Sequence, residues 1–302
     1  MNIVIGTRGS PLALVQAEWI SKKLLKISSS LKTEIKIIKT RGDQILNLPV
    51  KKIGDKGVFV KELETALQNR EIDLAVHSAK DLPADIPEDL ILAAFPERED
   101  PSDVLISKNE NTLAALPLKA VIGTSAARRQ SQLLHYRPDL RIELLRGNVE
   151  TRIRKLDEGK YRGIVLAKAG LNRLKIKRGR TIPRTLMLPS LAQGALAVEM
   201  RRNDKKLLMI AKLLNDKKTS FCIQAERSFL AEMEGGCQIP LGGIAELYKS
   251  KLRMEAFIGT PDGRNLIRES IEGEASKPIE LGKKLAFLIL SKGGDKIKRT
   301  LL

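Results

Sequence analysis

One pattern occurs twice in this chain and narrows the folds open to it. "VIGTRGSPLALVQ" (Val4–Gln16) and "VIGTSAARRQSQLL" (Val121–Leu134) each run an apolar strand into Gly-Thr, and then into small and basic residues that open a helix. A strand that turns directly into a helix is the repeating unit of α/β folds, in which helices carry the chain between neighbouring parallel strands. Two such junctions, far apart in the sequence, predict two α/β domains of related build.

The remaining periodicity fills in this plan. Ile3–Ile5, Glu34–Lys39, Asp73–Val76 and Leu90–Ala94 read as strands of the first domain, with helices over Leu12–Lys26 and Val58–Asn69. Ile142–Leu145 and Ile164–Ala167 add strands to the second domain. Two polar, proline-bearing segments, "REDPSD" (Arg98–Asp103) and "LPSLAQG" (Leu188–Gly194), are candidate crossovers, and a strand over Ala195–Met200 follows the second. The chain is thus expected to leave domain one, build domain two and return. From about Lys217 the pattern changes to a helix, three strands (Gly242–Leu247, Lys251–Gly259, Asn265–Ile271) and a closing helix over Gly282–Leu290. The expected domains are 1–97 with 195–216, then 98–194, then 217–302. The last is a smaller α+β domain with a three-stranded antiparallel sheet.

Length and composition agree with this plan. At 302 residues the chain is too long for one ordinary core. No apolar run approaches the ~20 residues of a membrane helix, and Met1 leads straight into a strand-like run, so a cytoplasmic protein without a membrane partner is expected. Two cysteines and two histidines make neither a disulfide framework nor an expected metal centre. The net charge of +18 invites a polyanionic partner, but aromatic residues are only 3% and leave few platforms for stacked bases.

The chemistry-bearing residues cluster where strands end. Thr7-Arg8-Gly9-Ser10 and Thr124-Ser125, followed by Arg128 and Arg129, lie at strand-to-helix junctions. There free N–H groups and the helix dipole favour an anion, and Ser or Thr also serves as an ordinary helix cap. Arg146 and Arg152 in "LRGNVETRIRKL" and Arg173 in "AKAGLNRL" follow two further strands. Ligands of parallel α/β sheets bind beyond the carboxyl ends of strands, and the arginine fork suits carboxylates and phosphates. No phosphate-loop or dinucleotide glycine motif accompanies them, which favours an organic polycarboxylate. In "AVHSAKDLP" a strand runs into Ser78, Lys80 and Asp81. Asp81 is either the single acid of a basic site or a turn cap paired with Lys80. "GDKGVFVKELE" (Gly54–Glu64), with Lys56 and Phe59, reads as a lid or as a surface loop.

Taken together, "GTRGSPLALVQA", "KGVFVKELE", "HSAKDLP", "EREDPSD", "GTSAARRQ", "LRGNVETR", "AGLNRL" and "EGGCQIP" resemble the porphobilinogen deaminase (hydroxymethylbilane synthase) family, in the family's order and across nearly the whole chain. The resemblance implies three domains, the first two similar to two-lobed anion-binding proteins. It also implies an enzyme, a transferase that joins four porphobilinogen units head to tail into a linear tetrapyrrole of porphyrin and haem biosynthesis, releasing ammonia from each. A dipyrromethane cofactor is implied, held by a thioether to the residue that is here Cys237, while Cys222 reads as a buried small side chain.

Carried over by motif, Ser78, Lys80, Thr124, Arg128, Arg129 and Arg146 bind the cofactor. Arg8, Ser10, Arg152, Arg173 and Gln193 bind the substrate, and Asp81 is the catalytic acid that stabilises a cationic pyrrole once ammonia has left. Porphobilinogen is then the partner, with no nucleic acid and a monomer expected. Ala126 stands where the family often has Ser, and Ala192 where Gly is usual. An anion-binding protein without catalysis would account for the strand-end arginines, but not for Asp81 or Cys237. Nucleic-acid binding rests on charge alone.

Overall fold

In the computed structural model, which describes residues 1–40, 60–233 and 239–301, the first strand, β1 (Asn2–Thr7), turns Ile3 and Ile5 into a core completed by Ala17, Ile20 and Leu24 of helix α1 (Pro11–Ile27). The helix starts where its residues dictate. Pro11 has the φ a first helical turn requires, and the Ser10 hydroxyl accepts the Ala13 N–H at 3.3 Å. On the opposite face Val4 packs with Leu63 and Leu67 of α2 (Lys61–Gln68). Gly6 suits that face, since a Cβ there would stand 2.2 Å from the tip of the Ile72 side chain and force it to move.

Two compact units are present: Met1–Glu99 with Gly194–Ser220, and Asp100–Gln193 with Phe221–Leu302. The first is built on one mixed sheet. β1 pairs in parallel with β2 (Lys32–Ile37) and β3 (Leu74–Ser78). β10 (Leu196–Arg201) lies antiparallel between β3 and β4 (Leu90–Ala94). Helix α6 (Lys205–Lys212) adds Leu207 and Ala211 to the α1 side of the core.

The second unit repeats this arrangement strand for strand. β6 (Val121–Gly123) pairs in parallel with β7 (Arg141–Glu143) and β8 (Gly163–Ala167). β5 (Asp103–Ser107) lies antiparallel between β8 and β9 (Arg180–Thr181). The registers coincide as well. Gly6 pairs with Ala75 as Gly123 pairs with Ile164, and Leu196 pairs with Ser78 as Asp103 pairs with Ala167. The two sheets can therefore be compared position by position. Helices α3 (Ala127–Tyr136), α4 (Val149–Asp157) and α5 (Lys168–Arg173) follow β6, β7 and β8.

The second unit also holds a three-stranded antiparallel sheet of β11 (Leu241–Tyr248), β12 (Lys251–Gly259) and β13 (Leu266–Glu274). One face is filled by Leu252, Met254, Ala256 and Ile258 against α7 (Lys217–Glu232) and α8 (Pro278–Ile289). The helices approach closely at Gly282, where a Cβ would fall 2.2 Å from the Ala225 carbonyl oxygen. A short α9 (Asp295–Arg299) follows.

The α/β reading and the three-stranded sheet match the expectation. Differences are local. The closing helix begins at Pro278 rather than Gly282, because Pro278 itself occupies the first turn. Strands β5 and β9 were not expected. β5 hides in the sequence because its first residue is an aspartate that closes the polar "REDPSD" segment.

Candidate active site

The carboxyl ends of β1 and β3 lie on one edge of the first sheet. Beyond β1 come half-buried Arg8 and the capping Ser10. Beyond β3 the chain enters a single 3-10 turn, Ala79–Asp81. The turn is tied back to the sheet by the Ala79 N–H, which donates to the Ala195 carbonyl at 3.0 Å. Ser78 exchanges hydrogen bonds with Gln16 of α1, whose Nε2 donates to the Ser78 hydroxyl at 2.9 Å. Lys80 is half-buried and Asp81 is exposed. The strand end thus carries an exposed acid beside a half-buried base, on a backbone anchored at the two residues that precede them.

On the second sheet the corresponding edge carries the ends of β6, β7 and β8. Their continuations place Thr124, Arg128 and Arg129, then Arg146 with Arg152, then Arg173 along one edge. Thr124 is buried, and its hydroxyl accepts the Ala126 N–H at 3.2 Å. Arg152 donates through Nε to the Gly147 carbonyl at 2.7 Å, wrapping the guanidinium around the left-handed Gly147 (φ 116°).

Arg128 and Arg129 are more deeply placed than a surface site demands. They are 6% and 5% exposed and converge on Asp103, which is fully buried. Arg128 Nη1 donates to Asp103 Oδ2 at 2.7 Å and to the Leu188 carbonyl at 2.6 Å. Arg129 donates to Asp103 Oδ1 through Nη2 (2.7 Å) and Nε (3.2 Å), and to the Val165 carbonyl through Nη1 (2.8 Å). Gln193 completes the cluster, with Nε2 3.0 Å from Asp103 Oδ1 and 2.7 Å from the Pro101 carbonyl. Burial alone would push the Asp103 carboxyl up, but the two guanidiniums outweigh it and hold the group far below the ordinary carboxylate range. Burial, and after it Asp103 and Arg129, set the Arg128 guanidinium, which lies below its usual value.

Among the described residues, two guanidiniums against one carboxylate leave this cluster one positive charge in excess. A buried charge without a counter-ion is costly, so the cluster is suited to an added carboxylate. The residues therefore fit an anionic, carboxylate-bearing group at this edge.

Sequence reasoning missed Asp103, the counter-ion on which its two adjacent arginines depend. The available signal was an acid opening an apolar run, "DVLIS". It also missed Glu226, a fully buried carboxylate that accepts the Ala192 and Ala245 N–H groups, and the buried pair His77–Glu199. Cys222 is buried in the core of α7, as expected of a small apolar side chain. Cys237, Lys56 and Phe59 lie outside the described residues.

Comparison with known proteins adds an independent finding. Residues 3–209 match the family profile "Porphobilinogen deaminase, dipyromethane cofactor binding domain", and residues 220–291 match the profile of the C-terminal domain of the same enzyme. A porphobilinogen deaminase of Oceanobacillus iheyensis is 45% identical over 299 residues, covering 98% of this chain and 96% of that protein. One of Bacillus subtilis is also 45% identical, over 308 residues, covering 99% and 98%. Among solved structures, an ABC-transporter periplasmic substrate-binding protein from Coxiella burnetii aligns with a TM-score of 0.43 at 14% identity, over 70% of this chain and 91% of that one.

Proposed function

The chain belongs to the porphobilinogen deaminase family, and from that premise we propose how its residues divide the work. The activity is that of a hydroxymethylbilane synthase, a transferase of tetrapyrrole biosynthesis that acts on porphobilinogen with a dipyrromethane cofactor. When bound, that cofactor supplies an anchored pyrrole to which substrate units are joined.

The observation that carries our assignment is the contrast between two strand-end sites: an exposed acid at Asp81, and an edge of the second sheet lined by arginines with a buried cluster one positive charge in excess. Each pyrrole ring brings an acetate and a propionate. Arg128, Arg129, Arg146, Thr124, Ser78 and Lys80 are assigned to the cofactor's carboxylates, and Arg8, Ser10, Arg152, Arg173 and Gln193 to the substrate side. Arg129, whose fork already serves Asp103 and the Val165 carbonyl, is assigned to the cofactor through its remaining N–H groups. Asp81 supplies negative charge where the substrate pyrrole becomes cationic as ammonia departs. A fixed carboxylate there stabilises the transition state without reorganising.

We assign the cofactor's thioether to Cys237. The sequence is divided into three domains, 1–97 with 195–216, 98–194 and 217–302, each with its own sheet. The working form is taken to be a cytoplasmic monomer without nucleic acid, because pyrrole carboxylates account for the strand-end arginines with no need of a phosphate backbone. No described helix is long and apolar enough to cross a membrane.

The test is peptide mapping of the purified enzyme. A two-pyrrole adduct is expected on Cys237 and none on Cys222. Fully active protein with an unmodified Cys237 overturns the assignment.

A further inference from the structure

His77 and Glu199 form an ion-pair contact in the interior of the first sheet, His77 Nε2 to Glu199 Oε2 at 2.9 Å, with the residues 6% and 0% exposed. Glu199 Oε1 is buried and has no hydrogen-bond partner among the described residues. Both side chains lie on the α2 side of the sheet, in line with Ala75, which packs with Leu63 and Leu67 of α2. Glu64 of α2 is within the same field: burial first, and then the charge of Glu199, push its carboxyl up, while His77 draws it down.

The second sheet shows that the fold does not need this pair. In the shared register His77 corresponds to Leu166, and Glu199 to Ile106. Both are buried hydrophobic residues, 3% and 1% exposed. The same strand pairing is thus filled by aliphatic packing in one unit and by an imidazole and a carboxylate in the other. Replacing a buried ion pair by well-packed apolar residues is often neutral or stabilising, so retention of the costlier pair points to a role other than packing.

Its location supplies the role. His77 directly precedes Ser78 and the turn Ala79–Asp81. Ser78 is held by Gln16 on the α1 face, and His77 by Glu199 on the α2 face. The strand end is therefore pinned by polar contacts from both sides immediately before Lys80 and Asp81. We propose that His77 and Glu199 act as a positioning pair for the turn that carries Lys80 and Asp81. Glu199 fixes the imidazole, and the imidazole fixes the direction in which the chain leaves the sheet. The inference rests on the assignment of Asp81 to the reaction.

The sister sheet provides the experiment. The double variant His77→Leu with Glu199→Ile copies the second sheet and removes both polar side chains together. Its melting temperature is expected to equal or exceed that of the wild type. Its turnover per molecule carrying the pyrrole adduct, counted by intact mass, is expected to fall roughly 10- to 100-fold, the scale of a displaced reacting group. Wild-type turnover in the double variant overturns the proposal, as does a loss of activity that follows the folded fraction alone. If the double variant does not fold, His77→Gln decides, because its amide can still donate to Glu199. It should keep turnover within about threefold of wild type while His77→Leu loses about tenfold or more, and equal losses overturn the proposal. Asp81→Asn is measured alongside. A crippled Asp81→Asn beside a normal double variant overturns this inference alone, whereas a normal Asp81→Asn overturns the assignment beneath it and this inference with it.

Discussion

The two α/β units share a strand order and a register, yet they place their acids differently. In the first sheet the antiparallel strand opens with Leu196 beside Ser78, and the helix that follows β1 opens with Pro11 and Leu12. In the second the equivalent positions hold Asp103, Arg128 and Arg129. Beyond the next strand the order reverses, and exposed Asp81 of the first unit corresponds in register to buried Gly170 of the second. One framework thus carries an acid open to solvent and an acid consumed by its own arginines. Charge at a strand end has no fixed meaning, and burial decides whether a carboxylate acts outward or holds its neighbours in place.

The contrast breaks most severely at Asp103. Asp103→Leu copies the first sheet and leaves two guanidiniums buried without a counter-ion. A loss of about 3–5 kcal/mol is expected, as for other buried pairs cut on one side, read by denaturant unfolding. The pH dependence has a definite sign. The folded pKa of Asp103 is depressed, so its stabilisation is complete above the unfolded value of about 4 and declines as the pH falls below it. The gap between wild type and variant should be constant from neutrality to about pH 5 and should narrow in more acid solution. A gap independent of pH down to about pH 2 would show that packing, rather than charge, is lost.

Asp81 should behave in the opposite way. Asp81→Asn is nearly isosteric and exposed, so its melting temperature should stay within about 1 °C of wild type. Turnover should fall on the order of 10²-fold or more, as when one preorganised electrostatic partner is removed from a transition state. Near-normal turnover would place the catalytic charge elsewhere and erase the distinction between the two acids.

Much of this contrast was legible in the sequence, and the missing part has a physical reason. The repeated Gly-Thr junction announced two related sheets because local turn chemistry and strand periodicity are properties of adjacent residues. The placement of Ser10, Ser78, Thr124 and Arg146 just beyond or at strand ends was legible for the same reason. The pairing of Asp103 with Arg128 and Arg129 spans 25 and 26 positions, and that of His77 with Glu199 spans 122. Neither has a local signature, because both arise from strand order and register. Arg128 and Arg129 were accordingly read only as forks for a ligand's carboxylates, with nothing in the sequence to reveal their own carboxylate partner, Asp103.

The half-buried arginines sharpen the comparison within the second unit. Arg146, Arg152 and Arg173 follow different strands, whereas the proposed reaction uses one acid, Asp81. Older rings must move away from that acid and meet new partners. Removing one fork should cost about 1.5–3 kcal/mol, roughly 10- to 100-fold in a single step. Arg146→Leu, Arg152→Leu and Arg173→Leu should each accumulate a different covalent adduct after brief exposure to porphobilinogen, resolved by native mass spectrometry. An adduct ladder identical to wild type in all three variants would reduce these arginines to a general positive field.

The smallest expected effect concerns the two crossovers. The outward segment, Arg98–Asp103, contains no residue with positive φ, whereas the return segment contains Ala192 at φ 60° and Gly194 at φ 88°. Glycine adopts this conformation without penalty, but a Cβ there costs about 1–2 kcal/mol. Ala192 is held in place by its N–H bond to the buried carboxylate of Glu226, while the adjacent Gln193 reaches Asp103. The methyl group is 2% exposed, so its removal forfeits about 0.8 kcal/mol of burial, and glycine also loses more chain entropy on folding. These terms nearly cancel, so Ala192→Gly should leave stability within about 0.5 kcal/mol of wild type, or roughly 1–2 °C in melting temperature. A fall of more than about 1 kcal/mol would show that methyl packing outweighs backbone strain at this crossover. An unchanged Asp103→Leu penalty in the Ala192→Gly background would show that the return segment and the buried charge cluster contribute independently, despite their shared neighbour Gln193.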